Sequence, residues 1–586
     1  VILTGEVASY SFEKSMIHPD FEMLDAEDDA TLNFKRIVPI YSETEGLYQK
    51  TVRRVMMKAI QDFGPYLVSP MPEAINRRHH FIGMNEAIKQ VHFPNQDENI
   101  DSCNGLNSPA HRRLIFDEFF FLQLGVALKK KGRSLEKVEP FRRGALSAKF
   151  LNLLPFSLTS AQNRVVEEII SDLEKDSAMN RLLQGDVGSG KTVVSMAAMV
   201  MAYESGFQAA MMAPTEILAE QHYQSLKPWA DPLGLEIALV TGGLKNAKRD
   251  AISSDISSGK AGIVVGTHAL IQEAIDFNRL GLVVIDEQHR FGVIQRAALL
   301  MKGRTPHTLI MTATPIPRTL AMTVYGDLDV SVIDEMPPGK KPVQTKVFYE
   351  KQRQRVYDII RRELTKGHQA FIVYPLVEES EALDLKDATR MAEHLQKDVF
   401  PERRVGLVHG RMKNADKDRV MEQFKAGEID ILVATTVIEV GIDMPQASLM
   451  VVEHAERFGL SQLHQLRGRV GRRDIPSACI LLAQHTGTDD ARRRLRIMEE
   501  TNDGFRIAEE DMAIRGPGEM LGIRQSGLPD FRIANIIKDA RLLNEAKEEA
   551  FSLIEKDPDL NRPEHEALRA VLLHRWAGRM DLAKIG

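Results

Sequence analysis

A multidomain α/β fold with two parallel-sheet lobes is predicted by two features of the chain. The first is a pair of stretches in which short, continuous apolar runs alternate with helical segments. Strands that are apolar throughout and separated by helices read as parallel sheets covered on both faces. In the first stretch the runs fall at 208–213, 237–240, 263–265, 282–285 and 308–311; in the second they fall at 370–374, 405–408, 431–433, 449–452 and 479–482. The second feature is GDVGSGKT at 185–192, a glycine-rich segment between the apolar run Arg181-Leu182-Leu183 and a strongly helical stretch at 192–203.

In chain order, residues 1–40 carry strand-like alternation that passes into an acidic stretch (Asp25, Glu27, Asp28, Asp29). Val1 is not an initiator methionine and the opening VILTGEV reads as a strand already under way, so the chain is expected to be the remainder of a longer protein. Residues 41–150 read as a helical linker broken at Pro70 and Pro72, with its longest run at 112–131 and Phe116, Phe119, Phe120, Leu122 and Leu124 on the apolar side. The first lobe then occupies 151–338 and the second 339–485, divided at Pro337-Pro338-Gly339. A helical region, 486–586, follows, interrupted by RGPGEMLG at 515–522.

At 586 residues, and about 150 per domain, about four domains are expected. The composition is that of an ordinary globular protein: 43% hydrophobic and 27% charged. No apolar run approaches the ~20 residues of a membrane span. The two cysteines, Cys103 and Cys479, are far apart, which argues against a disulfide framework or a cysteine zinc site and fits a reducing cytosol. A net charge of −6 offers no global attraction for nucleic acid, so such binding requires local patches. Lys129-Lys130-Lys131 with Arg133, and Arg492-Arg493-Arg494 with Arg496, are candidates; a solvated helix face is the competing reading.

The segment 185–192 has the strand–loop–helix context of a phosphate-binding loop. Gly185, Gly188, Ser189 and Gly190 let the backbone curl so that N–H groups converge on phosphate oxygens at a helix N-terminus. Lys191 supplies a point charge for the β- and γ-phosphates, and Thr192 a hydroxyl for Mg2+. The run 282–285 ends in Asp286-Glu287, an acidic pair at the carboxyl end of a parallel strand, where such sheets place their ligands. Asp286 is expected to hold the metal and Glu287 to orient and deprotonate the attacking water. ATP and Mg2+ are the expected nucleotide and ion.

With these residues in order the chain resembles helicase superfamily 2, whose two RecA-like lobes close on ATP while gripping nucleic acid. The resemblance implies an adenine-sensing segment in FSLTSAQ (156–162), with Phe156 and Gln162. It implies strand-contacting loops in APTEILAEQH (213–222), with Pro214 and Thr215, and in GTHAL (266–270), with Thr267 and His268. LVHGRM (407–412) contributes His409 and Arg411 to the same surface. TATPIPRT (312–319) is the implied coupling element, with Thr312 and Thr314. ATTVIEVGID (434–443) is implied to touch the strand through Thr435 and Thr436 and the nucleotide through Gly441 and Asp443. QLRGRVGR (465–472) is the implied arginine-finger segment, with Arg469 and Arg472 reaching the γ-phosphate.

DEQHRFG (286–292), TATPIPRTLAM (312–322) and RGPGEMLGIRQSG (515–527), together with MIHPDFEM (16–23) and PIYSETEGL (39–47), narrow the resemblance to the RecG family of bacterial double-stranded DNA translocases, over about 16–573. It implies that residues 1–40 are the remnant of an oligonucleotide-binding (OB) wedge barrel, most of which would lie upstream together with any fork-stacking aromatic. Residues 494–527 resemble a translocation element, with Arg496, Asn502, Asp503, Arg515, Glu519 and Gln525 as its polar candidates. The implied activity is ATP-driven remodelling of branched DNA, by reversal of stalled forks and by formation and migration of four-way junctions. The implied partners are branched and duplex DNA and a single-stranded-DNA-binding protein, with a monomeric, cytoplasmic, nucleoid-associated enzyme and no membrane. The competing readings are the motor of a transcription-repair coupling factor, which shares the translocation element, and a non-catalytic nucleic-acid scaffold. The scaffold is disfavoured by the intact set Lys191, Asp286, Glu287, Arg469 and Arg472.

Overall fold

The structure, a computed structural model, describes residues 2–4, 7–10, 13–16, 20–22, 36–42, 46–134, 137–243, 246–287, 291, 293–313, 328–339, 341–375, 381–435, 447–471, 475–484, 488–515, 531–536 and 538–576. The chain forms two compact units, one combining 1–128 with 527–579 and the other built on 129–526.

In the first unit, β1 (Ile2–Thr4) pairs antiparallel with β4 (Asp20–Glu22), and β2 (Val7–Tyr10) with β3 (Glu13–Met16). The helices Gln49–Phe63, Glu73–Arg78, Met84–His92, Ile100–Asn104 and Pro109–Ser134 follow, in keeping with the helical reading of this region. The last of these is not one-sided as its apolar pattern suggested: Phe116, Phe119, Phe120, Phe121, Leu122 and Leu124 are all buried, so the middle of the helix is enclosed. Part of what encloses it comes from far down the chain. The Glu118 carboxylate accepts the backbone N–H groups of Arg532, Ile533 and Ala534, and Phe531 packs edge-on against Phe119 at 5.5 Å. On the helix Ala540–Lys556, Glu549 pairs with Arg78 and His79, and Glu545 with Arg112. Of the region expected to hold a helical hairpin and C-terminal helices, residues 488–515 lie in the second unit and 531–576 in the first.

The second unit holds two parallel sheets on either side of Pro337-Pro338-Gly339. The first is built from β5 (Asn180–Gly185), β6 (Gln208–Met212), β7 (Ile237–Val240), β8 (Ile263–Gly266), β9 (Leu280–Asp286), β10 (His307–Thr312) and β11 (Asp329–Ile333), in the order 11-5-10-9-6-8-7. The second contains β12 (Gln344–Tyr349), β13 (Gln369–Tyr374), β14 (Val405–Val408), β15 (Ile431–Thr435), β16 (Ala447–Glu453) and β17 (Ala478–Ala483), in the order 12-17-16-13-15-14. Every described ladder in both sheets is parallel. This confirms the predicted fold class of two RecA-like lobes.

The central strands are apolar throughout because each of their faces meets a separate core. Ala209, Met211, Leu282 and Val284 join one cluster, while Ala210, Met212, Val283 and Ile285 join the cluster on the opposite face. The helix Lys191–Glu204 fills the first of these, with residues 193–202 buried without a break. A helix this enclosed holds the loop before it against a rigid base. Among the described residues no helix is long and apolar enough to cross a membrane.

Candidate active site

The expected functional residues gather at the carboxyl ends of the strands, where a parallel α/β sheet presents its ligand crevice. The loop 185–190 leaves β5, Asp286 is the last residue of β9, and Thr312 the last of β10. Pro214 and Thr215 follow β6, Thr267 and His268 follow β8, His409 and Arg411 follow β14, and Thr435 ends β15.

The glycine-rich loop turns tightly. Gly188 and Gly190 have φ of +77° and +92°, the left-handed region that glycine enters without a Cβ penalty. A Cβ at Gly190 would also press on the Gln162 side-chain amide. Gly190 is the N-cap of the helix Lys191–Glu204 and brings no side-chain acceptor to its first-turn N–H groups. Ser189 Oγ is buried without a partner among the described residues. Donor-rich backbone at a helix N-terminus, backed by a lysine, suits a polyphosphate. The Lys191 ammonium donates to the carbonyl oxygens of Gly185 at 2.7 Å and Asp186 at 3.0 Å.

Gln162 is buried and committed to the loop. Its Oε1 accepts the Thr159 N–H at 2.9 Å, closing a capping box at the helix Ser160–Leu173, and its Nε2 donates to the Ser189 carbonyl at 2.8 Å. Phe156 is about half exposed. Base-edge recognition through Gln162 thus requires its amide to share these bonds.

The acidic pair divides into two environments. Burial would raise the Asp286 carboxyl, but His222 holds it below the ordinary range through a 2.8 Å bond from Nε2, aided by Lys191 and the Glu287 N–H. Glu287 moves the other way. Burial, then the neighbouring Asp286 charge, raise it to about 7 against the opposing charges of Lys191 and Arg469. Its backbone sits at φ +52°, a conformation that a non-glycine residue keeps only when its surroundings impose it. Here the Glu287 N–H is fixed to the Met311 carbonyl at 3.0 Å. One carboxylate stays ionised while the other titrates near neutrality, which is the division of labour that acid–base chemistry requires.

The burial of Glu287 has a cost with a defined pH signature. A glutamate raised above its unfolded value binds its proton more tightly in the native state, so stability is lost as pH rises from about 4.5 through about 7. Glu287→Gln is therefore expected to stabilise the protein by on the order of 3 kcal/mol at pH 8, with the gain shrinking toward pH 5. Denaturant unfolding of both proteins at the two pH values measures this; equal stability at pH 8 would contradict the burial argument.

Among the described residues no group of three or more His, Cys, Asp and Glu could cage a metal by itself. Thr192 and Asp286 instead fit an ion that takes most of its ligands from phosphate and water, as Mg2+ does. From the second lobe, Arg469 is buried and its charge acts on Glu287. Arg472, Gly441, Asp443, Thr436, Thr314 and Gln525 lie outside the described residues, and Arg515 is described only as the last residue of the helix Gly504–Arg515.

Several expected nucleic-acid residues also shape local structure. The Thr215 hydroxyl caps the helix Glu216–Ala230 by accepting the Leu218 N–H, and Thr267 accepts the Ala269 N–H. Thr435 is fully buried, with its hydroxyl unpartnered among the described residues, whereas His268 and Arg411 are exposed. Much of the arginine run is used within the fold. Arg492 pairs with Asp489, Arg493 with Glu510, and Arg494 donates to the carbonyls of Phe458 and Glu456, while Arg496 is exposed.

The structure adds residues that sequence reasoning missed. His222 was read only as the end of a strand-contacting segment. His464 of the second lobe reaches Asp186 of the phosphate loop at 2.7 Å, and a Cβ at Gly468 would lie 2.9 Å from Val187 Cβ, so the lobes meet closely there.

Three family models match the chain: DEAD/DEAH box helicase over 159–323, helicase conserved C-terminal domain over 351–474, and ATP-dependent DNA helicase RecG, domain 3, C-terminal, over 501–585. The ATP-dependent DNA helicase RecG of Synechocystis sp. is 49% identical over 98% of this chain and 68% of its own length. That of Aquifex aeolicus is 43% identical over 100% of this chain and 74% of its own. A solved structure of RecG bound to a three-way DNA junction superposes with a TM-score of 0.72 at 42% identity, covering 92% of this chain and 70% of that one.

Proposed function

The chain belongs to the RecG family of ATP-dependent DNA helicases, and from that premise we propose that it is a double-stranded DNA translocase that remodels branched DNA. The observation that carries the motor reading is the convergence on Glu287: a strained, largely enclosed carboxylate directly after β9, acted on by Lys191 from its own lobe and Arg469 from the other.

In this reading the loop N–H groups and Lys191 hold the β- and γ-phosphates of ATP, and Phe156 and Gln162 flank the adenine. Thr192 and Asp286 would hold Mg2+, which would supply neutralisation of phosphate charge. His222 keeps the Asp286 carboxylate ionised and oriented. Glu287 accepts the proton of the attacking water, while Arg469 and Arg472 stabilise the charge spread over the transferring phosphoryl group. Because these arginines come from the second lobe, turnover is fast only when the lobes are closed. Pro214, Thr215, Thr267, His268, His409, Arg411, Thr435 and Thr436 form the strand-facing surface, with Thr312, Thr314, Arg496, Arg515 and Gln525 coupling lobe movement to DNA movement. Such contacts go mainly to phosphate and sugar and confer little sequence preference. We assign the enzyme to the cytoplasm at the nucleoid, as a monomer recruited by a single-stranded-DNA-binding protein.

The test is ATP hydrolysis titrated with forked, linear duplex and single-stranded DNA. Stimulation by forked or duplex DNA is the expected result; stimulation by RNA alone, or by nothing, would overturn the translocase reading. The pH profile supplies a second check. The general base must be ionised, so kcat/KM for ATP is expected to fall about tenfold per pH unit below about 7. A flat profile from pH 5.5 to 8 would place the base elsewhere.

A further inference from the structure

Between the phosphate loop and the helices that follow the second lobe runs a continuous chain of hydrogen bonds with His464 at its centre. On one side, Asp186 Oδ1 accepts from His464 Nε2 at 2.7 Å and from the Val187 N–H at 2.7 Å. The carbonyl of the same Asp186 accepts the Lys191 ammonium at 3.0 Å. On the other side, Arg467 Nη2 lies 2.9 Å from His464 Nδ1. Arg467 Nη1 reaches the carbonyls of Met498 at 3.1 Å and Thr501 at 2.7 Å, at the carboxyl end of the helix Asp489–Glu500. His464 and Arg467 are both buried, so neither can exchange these partners for water.

The chemistry of the partners fixes the state of the ring. A guanidinium only donates, so Nδ1 must be the acceptor and Nε2 must carry the proton that goes to the Asp186 carboxylate. The imidazole therefore stands as a link with one direction of donation, between a carboxylate on the phosphate loop and a guanidinium on the second lobe. Burial would raise the Asp186 carboxyl, and the His464 bond is the first of the influences that hold it below the ordinary range instead.

We propose that His464 is a positioning residue that transmits the state of the phosphate loop to the helix pair Asp489–Glu500 and Gly504–Arg515. Asp186 moves with the loop because its carbonyl and carboxylate are both tied into it. When Lys191 turns from the Gly185 and Asp186 carbonyls toward phosphate, the loop end of the chain is released to shift. A rigid, directional link passes that shift to Arg467, and through it to the end of the helix that precedes the translocation segment. Glutamine, which offers an acceptor and a donor on one planar amide, replaces the link in kind; leucine fills the space and breaks it.

This inference rests on the motor reading, and the experiment separates the two. ATP hydrolysis and strand displacement on a forked DNA are measured for the wild type, His464→Leu, His464→Gln, Asp186→Ala and the Asp186→Ala/His464→Leu double variant, with thermal unfolding as the control for folding. The expected result is that His464→Leu displaces at least about tenfold less DNA per ATP hydrolysed, that His464→Gln recovers most of this ratio, and that the double variant is no worse than the poorer single one. Additive losses, or equal failure of the leucine and glutamine variants with normal folding, would overturn the relay. If the wild type itself shows no DNA-stimulated hydrolysis, it is the motor reading that fails.

Discussion

Lys191→Ala is expected to lower ATP turnover by about 10³-fold or more while leaving DNA affinity close to that of the wild type. The ammonium has three tasks in this site. It holds the loop by donating to the Gly185 and Asp186 carbonyls, it is the point charge directed at phosphate, and it helps keep both Asp286 and Glu287 ionised. Alanine removes all three, so a shift of the Glu287 titration to higher pH should accompany the loss of turnover. DNA affinity is spared because the strand-facing candidates lie beyond other strands of the two sheets. Steady-state hydrolysis with saturating forked DNA, beside a DNA-binding titration without nucleotide, measures both effects. Hydrolysis within tenfold of the wild type would refute the role of the phosphate loop.

What could be read from the chain, and what could not, follows from how far apart interacting residues lie. All ten apolar runs proved to be strands; in the central ones burial on both faces makes every residue apolar, and the edge strands β7 and β14, only partly buried, were legible from their short apolar runs alone. The edge strand β12, Gln344–Tyr349, escaped notice. Its residues are exposed or only partly buried, and a sequence such as QTKVFY carries no continuous apolar run. The edge strand β11 was missed for the same reason, with Asp329 and Ser331 interrupting its valines. In the candidate site, Gly185, Gly188, Gly190, Lys191, Asp286 and Glu287 could be proposed from the sequence because each motif is contiguous and its spacing points to its chemistry. The partners of these residues could not. His222 lies 64 positions from Asp286, and His464 lies 278 from Asp186. No local pattern marks a lone histidine for a carboxylate that only the folded sheets bring near. The enclosure of Pro109–Ser134 was hidden likewise, since its covering segment at 531–534 lies more than four hundred residues away.

Arg469→Ala should lower kcat by roughly 10³-fold, the scale at which an arginine finger stabilises phosphoryl transfer. Arg469 lies in the second lobe, just after the helix Leu460–Arg467, yet its charge already acts on Glu287 of the first. That single fact yields a second, independent signature. Arg469 is one of the groups opposing the rise of the Glu287 carboxyl, so its removal should move the acidic limb of kcat/KM to a pH above about 7. A purely structural loss would lower activity equally at every pH and leave that limb in place. Arg469→Lys keeps the charge but not the planar fork, and should restore the position of the limb more fully than it restores kcat. The pH profiles of the three proteins, taken with saturating duplex DNA, decide the matter. An unmoved limb with kcat within tenfold of the wild type would remove Arg469 from the catalytic machinery and leave Arg472 as the second lobe's contribution to the γ-phosphate.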